Sequence, residues 1–255
     1  MQTDANNYRP ISVIPAVAKI FEKAIHDQLY EYLNTNNLLS NCQSGFRSMH
    51  STLTALLEAT NSWSVNIGKG LLNAVVFIDL KKAFDTIDHL ILLRKLRLYG
   101  FDEGSLRWFE SYLSNRSQRC SVNGHLSKTC QITCGVPQGS ILGPLLFLLY
   151  INDLPNCLCK ARPRMYADDT SISLASSCPN VLENEMSNEL ISLNRWLISN
   201  KLSLNIAKTD FMQIGSRQRI TACNDYQINL QIEGNDIKKV DSTKSLGVYI
   251  DENLS

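Results

Sequence analysis

Apolar residues recur along the start of the chain at helical spacing. In residues 16–33 they fall at Val17, Ile20, Phe21, Ala24, Ile25, Leu29 and Tyr32, and the polar run Asn34-Thr35-Asn36-Asn37 follows, which predicts a helix ending in a turn. A second helix is expected from about residue 51 to 64. The period then changes. Residues 71–80 form a near-continuous apolar run rich in β-branched side chains, bounded upstream by Gly68 and Gly70, and predict a buried central strand with Asp79 at its C-terminal end. Helical spacing returns at Ile87, Leu90, Ile91, Leu93, Leu96 and Leu98, with Gly100 as the stop, so a helix is expected to begin near Asp85. Residues 106–113 read as helix, and Asn123-Gly124 as the two-residue turn of a hairpin. Residues 141–151 are apolar but too few to cross a bilayer, and Gly143-Pro144 interrupts them, so a buried helix is expected. Short strands at 164–167 and 171–174 flank Asp168-Asp169. A helix over 181–199 carries Met186, Leu190, Leu193, Trp196 and Leu197 on one face, and short strands near 209–214, 227–233 and 245–250 complete the sheet edge. No internal repeat, low-complexity tract or long linker interrupts the pattern.

The candidate chemistry lies in the acids. Adjacent carboxylates such as Asp168 and Asp169 repel, so a fold that keeps them together away from bulk water needs a cation beside them. A tight turn between two strands would push both out at one edge of a sheet, an arrangement that suits the hard, oxygen-seeking ion Mg²⁺. Taken alone, Tyr166-Ala167-Asp168-Asp169 reads equally well as an exposed Asx turn. Asp79 breaks the tie, because a charge at the end of a buried strand is costly unless paired or metal-bound. Beside Asp168 it would complete a site for two divalent ions ~4 Å apart, the clamp used for in-line phosphoryl displacement. Asp85, at the expected helix start, has the simpler role of an N-cap or first-turn acid.

Composition sets the frame. A chain of 255 residues suffices for one large or two small globular units, and 44% hydrophobic content supports a packed core. Net charge is only +1, from 25 Lys and Arg against 24 Asp and Glu, less basic than is usual for a protein that grips a nucleic-acid duplex, and clusters such as Arg94-Lys95-Arg97 or Lys160-Arg162-Arg164 read first as solvated faces. The start lacks an apolar signal core and no segment reads as a membrane span, so an intracellular protein of the cytoplasm or nucleus is expected. Eight scattered cysteines fit the same reducing setting. Neither Cys130 with Cys134 and nearby His125, nor Cys157 with Cys159, makes a four-ligand zinc pattern.

The acids stand within an ordered series of short motifs. The series opens with Asn7-Tyr8-Arg9-Pro10-Ile11-Ser12, Lys19-Ile20-Phe21-Glu22-Lys23 and Gln43-Ser44-Gly45-Phe46-Arg47. It continues through Phe77-Ile78-Asp79-Leu80-Lys81-Lys82-Ala83-Phe84-Asp85 and Gly135-Val136-Pro137-Gln138-Gly139-Ser140 to Tyr166-Ala167-Asp168-Asp169. Leu204-Asn205-Ile206-Ala207-Lys208-Thr209 and Leu246-Gly247-Val248-Tyr249-Ile250-Asp251 close it. Each is weak alone, but in this order they span nearly the whole chain, which resembles the reverse transcriptase domain of non-long-terminal-repeat (LINE-type) retrotransposons and, more loosely, that of group II introns.

The resemblance implies an α+β right-hand polymerase fold, its palm an antiparallel sheet backed by helices. Fingers would occupy residues 1–70 and palm 71–255, with 96–134 an insertion of helix and hairpin belonging partly to the fingers. Such proteins usually continue into a helical thumb and often carry an endonuclease domain before the fingers, and neither is expected within this chain. The implied activity is RNA-directed DNA polymerisation, with an RNA template, a DNA primer and dNTPs as partners and two Mg²⁺ ions, or Mn²⁺ in their place, as cofactors.

Residue by residue, the resemblance makes Asp79 and Asp168 the metal ligands, Asp169 a neighbouring acid, and the carbonyl of Leu80 a further oxygen. Ala167 would lie with them at the nucleotide. Phe84 would sit beneath the sugar and exclude a 2′-hydroxyl, although without its motif it reads as a core aromatic. Gln138 would hydrogen-bond the nucleotide or template. Arg9, Lys19 and Arg47 would hold the triphosphate, and Lys208 would give a proton to the departing pyrophosphate. Ser245 stands where an aromatic residue is usual in the primer-supporting hairpin. Two other readings remain open. One is a truncated, catalytically inactive relic that at most binds nucleic acid. The other is a viral-type RNA-dependent RNA polymerase, against which stand Phe84 and the Ala167 that replaces that class's glycine.

Overall fold

A computed structural model describes residues 11–222 and 226–255, so Arg9, most of the first motif and Cys223 lie outside the described residues. In chain order come α1 (Ala16–Thr35), α2 (Thr52–Gly68), β1 (Leu72–Ile78), α3 (His89–Leu98) and α4 (Glu103–Leu113). Four two-residue strands follow, β2 (Ser117–Gln118), β3 (Ser121–Val122), β4 (His125–Leu126) and β5 (Cys130–Gln131), and then α5 (Leu142–Ile151). Next are β6 (Arg162–Tyr166), β7 (Asp169–Ser176), α6 (Pro179–Ser199), β8 (Asp210–Ile214) and α7 (Arg217–Ala222). The remainder is β9 (Gln231–Ile232), β10 (Asn235–Asp236), β11 (Lys238–Lys239), β12 (Ser242–Ser245) and β13 (Val248–Asp251). The chain forms two compact units interleaved in sequence. One takes residues up to Leu39 together with Lys82–Ile151, and the other takes Ser40–Lys81 with Asn152–Ser255.

In the first unit α5 is the hub. Every residue of it except Pro144 is buried, as expected of a helix that is apolar all round, and both α1 and α3 pack on it. The buried Glu22 of α1 ties the unit together, accepting from the Tyr112 hydroxyl of α4 at 2.8 Å and from the Ile141 N–H just before α5 at 2.7 Å. Burial, with Glu22 beside it, pushes the Tyr112 phenol up to about 12. Asn123 and Gly124 take φ values of +47° and +81°, as the turn of the β3–β4 hairpin requires.

The expected helix near Asp85 begins later. Lys82, at φ +48°, turns the chain into short hydrogen-bonded turns (Asp85 N–H to Lys82 O, 2.8 Å), and α3 starts only at His89. Its N-cap is Asp88, whose side chain accepts from the Ile91 N–H at 3.0 Å. Asp85 is therefore not the cap. Its carboxyl instead takes the Gln138 amide at 2.9 Å.

The second unit is built on a five-stranded sheet in the order β11-β8-β1-β7-β6, antiparallel throughout except where β11 runs parallel to β8. The apolar run of β1 makes it the central strand, and only Phe77 within it is not fully buried. The α2 helix packs Ala59 and Trp63 against Val75, Met212 and Ile214, with Phe77 at the margin. The α6 helix contacts β1 and β7 and buries Leu182, Met186, Leu190, Leu193 and Leu197. Two expected strands have a different form. The stretch 227–233 ends in a small β9–β10 hairpin outside the main sheet, and 245–250 is broken by the Leu246-Gly247 turn of the β12–β13 hairpin. Positive φ at both turn residues (+49° and +90°) makes that break.

Candidate active site

The pairing of β1 with β7 organises the acids. Ile78 lies opposite Thr170, and carrying the register one step further sets Asp79 across from Asp169 at the same end of the sheet. On the other side of β7, Tyr166 pairs with Asp169, so Ala167-Asp168 is the two-residue turn joining β6 to β7. Asp169 thus opens β7 and is exposed, whereas Asp168 and Asp79 are half-buried. The three acids lie at the same end of the sheet, on two segments distant in sequence. Among the described residues, no group of three or more His, Cys, Asp or Glu side chains is gathered tightly enough to cage an ion by itself.

Asp79 is held from below. Its Oδ2 accepts from the Asn205 side-chain amide at 2.7 Å, and its carbonyl accepts from the Asn205 N–H at 2.8 Å. Leu80 is buried and bridges to Leu204, which fastens the strand end to the segment carrying Lys208. A cavity of about 490 Å³ opens beside the acids, lined by Asp79 and Asp169 together with Phe77, Ser171, Asp210 and Lys208. Asp210 is also paired across from Phe77, so the lining follows one face of three adjacent strands. Deeper in, Arg164 reaches the Ser173 hydroxyl at 3.2 Å and lies 4.0 Å from Glu58, and its burial lowers the guanidinium pKa.

The turn is held from the other side. Cys42 and Ser44 form backbone hydrogen bonds with Met165 at 2.8 Å each, adding a short parallel bridge at the edge of β6. Between them the buried Gln43 turns its amide onto Ala167. Arg47 is occupied locally, its Nη1 donating to the carbonyls of Ser40 at 2.8 Å and Gln43 at 3.1 Å.

The remaining expected residues belong to the first unit. Phe84 stacks on Phe147 at 4.4 Å between ring centroids, and the segment 84–87 is knit to the glycine-rich loop by Gly135 N–H to Ile87 O and Val136 N–H to Phe84 O. A Cβ at Gly135 would run into the Asp85 backbone, which is why glycine is required there. Gln138 donates to Asp85, and Lys19 is exposed near the start of α1. Asn205 and Gln43 received no role from sequence reasoning although both lie inside its motifs. Their partners are 126 and 124 residues away, so spacing carried no signal for either contact.

Residues 2–250 match the family model for reverse transcriptase (RNA-dependent DNA polymerase). A probable RNA-directed DNA polymerase from transposon BS of Drosophila melanogaster is 30% identical over 257 residues, covering 98% of this chain and 28% of that protein. The RNA-directed DNA polymerase from mobile element jockey of the same fly is 27% identical over 267 residues, covering 99% of this chain and 28% of that protein. The chain therefore spans little more than a quarter of the curated relatives it matches. Among solved structures, apo telomerase from Candida tropicalis superimposes with a TM-score of 0.58 at 12% identity, over 92% of this chain and 40% of that one, a likeness of fold. With an antiparallel sheet backed by helices, a hairpin of paired aspartates at its edge and a family match over nearly its whole length, the chain belongs to the reverse transcriptase family.

Proposed function

We propose that the second unit carries the chemical site of an RNA-directed DNA polymerase that extends a DNA primer on an RNA template with dNTPs. One observation carries this reading: the β1–β7 pairing runs to Ile78 and Thr170, so the next residues, Asp79 and Asp169, stand at the same end of the sheet, line one cavity and lie beside the Ala167-Asp168 turn. The donor set fits a hard divalent ion. Carboxylate oxygens are what Mg²⁺ takes, and it is commonly held by one or two of them plus substrate phosphates rather than by a full protein cage. When bound, a pair of Mg²⁺ ions, or Mn²⁺ in their place, lowers the pKa of the attacking hydroxyl and neutralises the leaving pyrophosphate.

The chain's own residues do the positioning. Asp79 and Asp168 are the principal ligands, with Asp169 beside them and the Leu80 carbonyl as a further oxygen. Asn205 keeps one oxygen of Asp79 engaged and so orients the other. Lys208 lines the same cavity and is the proton donor for pyrophosphate. Phe84, Gln138, Ala167, Arg9, Lys19 and Arg47 carry their nucleotide-binding assignments from the sequence motifs, with Phe84 excluding the 2′-hydroxyl.

Primer extension on an RNA template tests the reading. The parent chain incorporates dNTPs, and Asp79→Asn and Asp168→Asn each lower the rate by about a hundredfold or more, since each removes charge placed for the transition state. Equal incorporation by parent and variants rejects the assigned acids. Binding of an RNA–DNA hybrid with no extension, even at low salt, would leave a nucleic-acid-binding chain without turnover.

A further inference from the structure

Ala167 is a non-glycine residue at φ +56°, in the left-handed region that costs an L-residue with a Cβ. It is also the first residue of the turn that presents Asp168, so any relaxation of its backbone would redirect that carboxyl. Something must hold it, and the contacts around it converge on one side chain. Gln43 is 2% exposed. Its Oε1 accepts from the Ala167 N–H at 2.9 Å and from the Gly45 N–H at 2.7 Å, while its Nε2 donates to the Ala167 carbonyl at 3.3 Å. Both backbone polar groups of the strained residue are thus bound by a single buried amide.

The surrounding chain keeps that amide in place. Backbone bonds from Cys42 and Ser44 to Met165 lock Gln43 in register with the last residues of β6. Gly45 packs so closely that an added Cβ would run into the Ala167 amide nitrogen, which leaves no room for the Gln43 loop to carry a larger residue there. Replacing Gln43 with an apolar side chain would leave Ala167's N–H and carbonyl unpaired, and the turn would relax to recover partners for them.

We propose that Gln43 is the positioning residue of the catalytic turn, a buried amide that holds Ala167 in its left-handed conformation and thereby fixes Asp168 relative to Asp79. The proposal rests on the polymerase reading for its effect on turnover, but not for the clamp itself.

A double-mutant cycle between Gln43→Leu and Ala167→Gly tests it, because glycine adopts the left-handed conformation without strain. Gln43→Leu should lower kcat about tenfold or more, and raise the Mg²⁺ half-saturation, while the dNTP KM stays within roughly twofold. In the Ala167→Gly background the same substitution should cost much less, since the strain that Gln43 opposes is gone. A general loss of packing would instead cost the same in both backgrounds, and that result overturns the proposal. Amide hydrogen exchange provides a readout that needs no turnover, so it separates failure of the clamp from failure of the polymerase reading. Gln43→Leu should speed exchange at the Ala167 and Gly45 amides while leaving the amides of β1 and β8 protected, and unchanged exchange at Ala167 overturns the proposal. If Gln43→Leu does not fold, the near-isosteric Gln43→Met decides the matter. It fills the same space without a hydrogen-bonding amide, so exchange at Ala167 and Gly45 should quicken in a folded protein, and unchanged exchange there overturns the clamp.

Discussion

At the scale of single residues, polar side chains reach far along the sequence to hold groups on other segments. Asn205 on Asp79 and Gln43 on Ala167 are two, and Glu22 is a third. Burial and Glu22 together raise the Tyr112 phenol from its ordinary 10.0 to about 12. A group whose pKa is raised on folding contributes stability that is complete below its unfolded value and is lost as pH rises through the folded one. The parent chain should therefore lose up to roughly 3 kcal/mol between about pH 10 and 12, since one proton retained by the folded state is worth about 1.4 kcal/mol for each pH step. Denaturant unfolding of Tyr112→Phe across that interval should show a shallower pH slope, and an unchanged slope would mean that another group titrates there.

At the scale of elements, local rules explain where helices start and why one expectation missed. Ser51 caps α2 through a reciprocal box, its Oγ accepting from the Thr54 N–H at 3.1 Å and its N–H donating to the Thr54 hydroxyl at 3.0 Å. Ser51→Ala should cost about 1 kcal/mol, or a Tm fall of roughly 2–4 °C for a chain of this size. A calorimetric Tm within experimental error of the parent would show that packing of Trp63 and Ala59 alone sets the helix. The misplaced start of α3 has an equally local cause. Apolar spacing from Ile87 onward points to a helix beginning near Asp85, but the positive φ of Lys82 turns the chain there and Gln138 takes the Asp85 carboxyl, so the cap falls to Asp88.

At the scale of the whole molecule, interleaving is the governing feature. The central strand β1 comes from the 40–81 segment, while its neighbours β7 and β8 come from beyond residue 152. A fragment of residues 152–255 therefore lacks the strand that pairs with both neighbours and buries them. It should show no cooperative thermal transition and no antiparallel-sheet circular dichroism, and a cooperative transition in that fragment would refute the dependence. No helix among the described residues is long and apolar enough to cross a membrane, in keeping with the length of the 141–151 run.

Most of the helices, the central strand, the hairpin of paired acids and the family itself were legible from the residues alone, whereas α7 and the start of α3 were not. Hydrophobic period records which faces are buried, and an ordered series of short motifs is hard to meet by accident. The hairpin is local, but its turn is shorter than the strands expected at 164–167 and 171–174 allow: Ala167-Asp168 forms it, and Asp169 already opens β7 opposite Tyr166. What only the folded chain decided are contacts between residues more than a hundred positions apart, such as Asp79 with Asn205 and Ala167 with Gln43, and the breaking of the 245–250 strand at Leu246-Gly247. Burial leaves a periodic trace in sequence, whereas a single long-range hydrogen bond leaves none. Its partners are chosen by strand register and loop packing, which exist only once the sheet has formed.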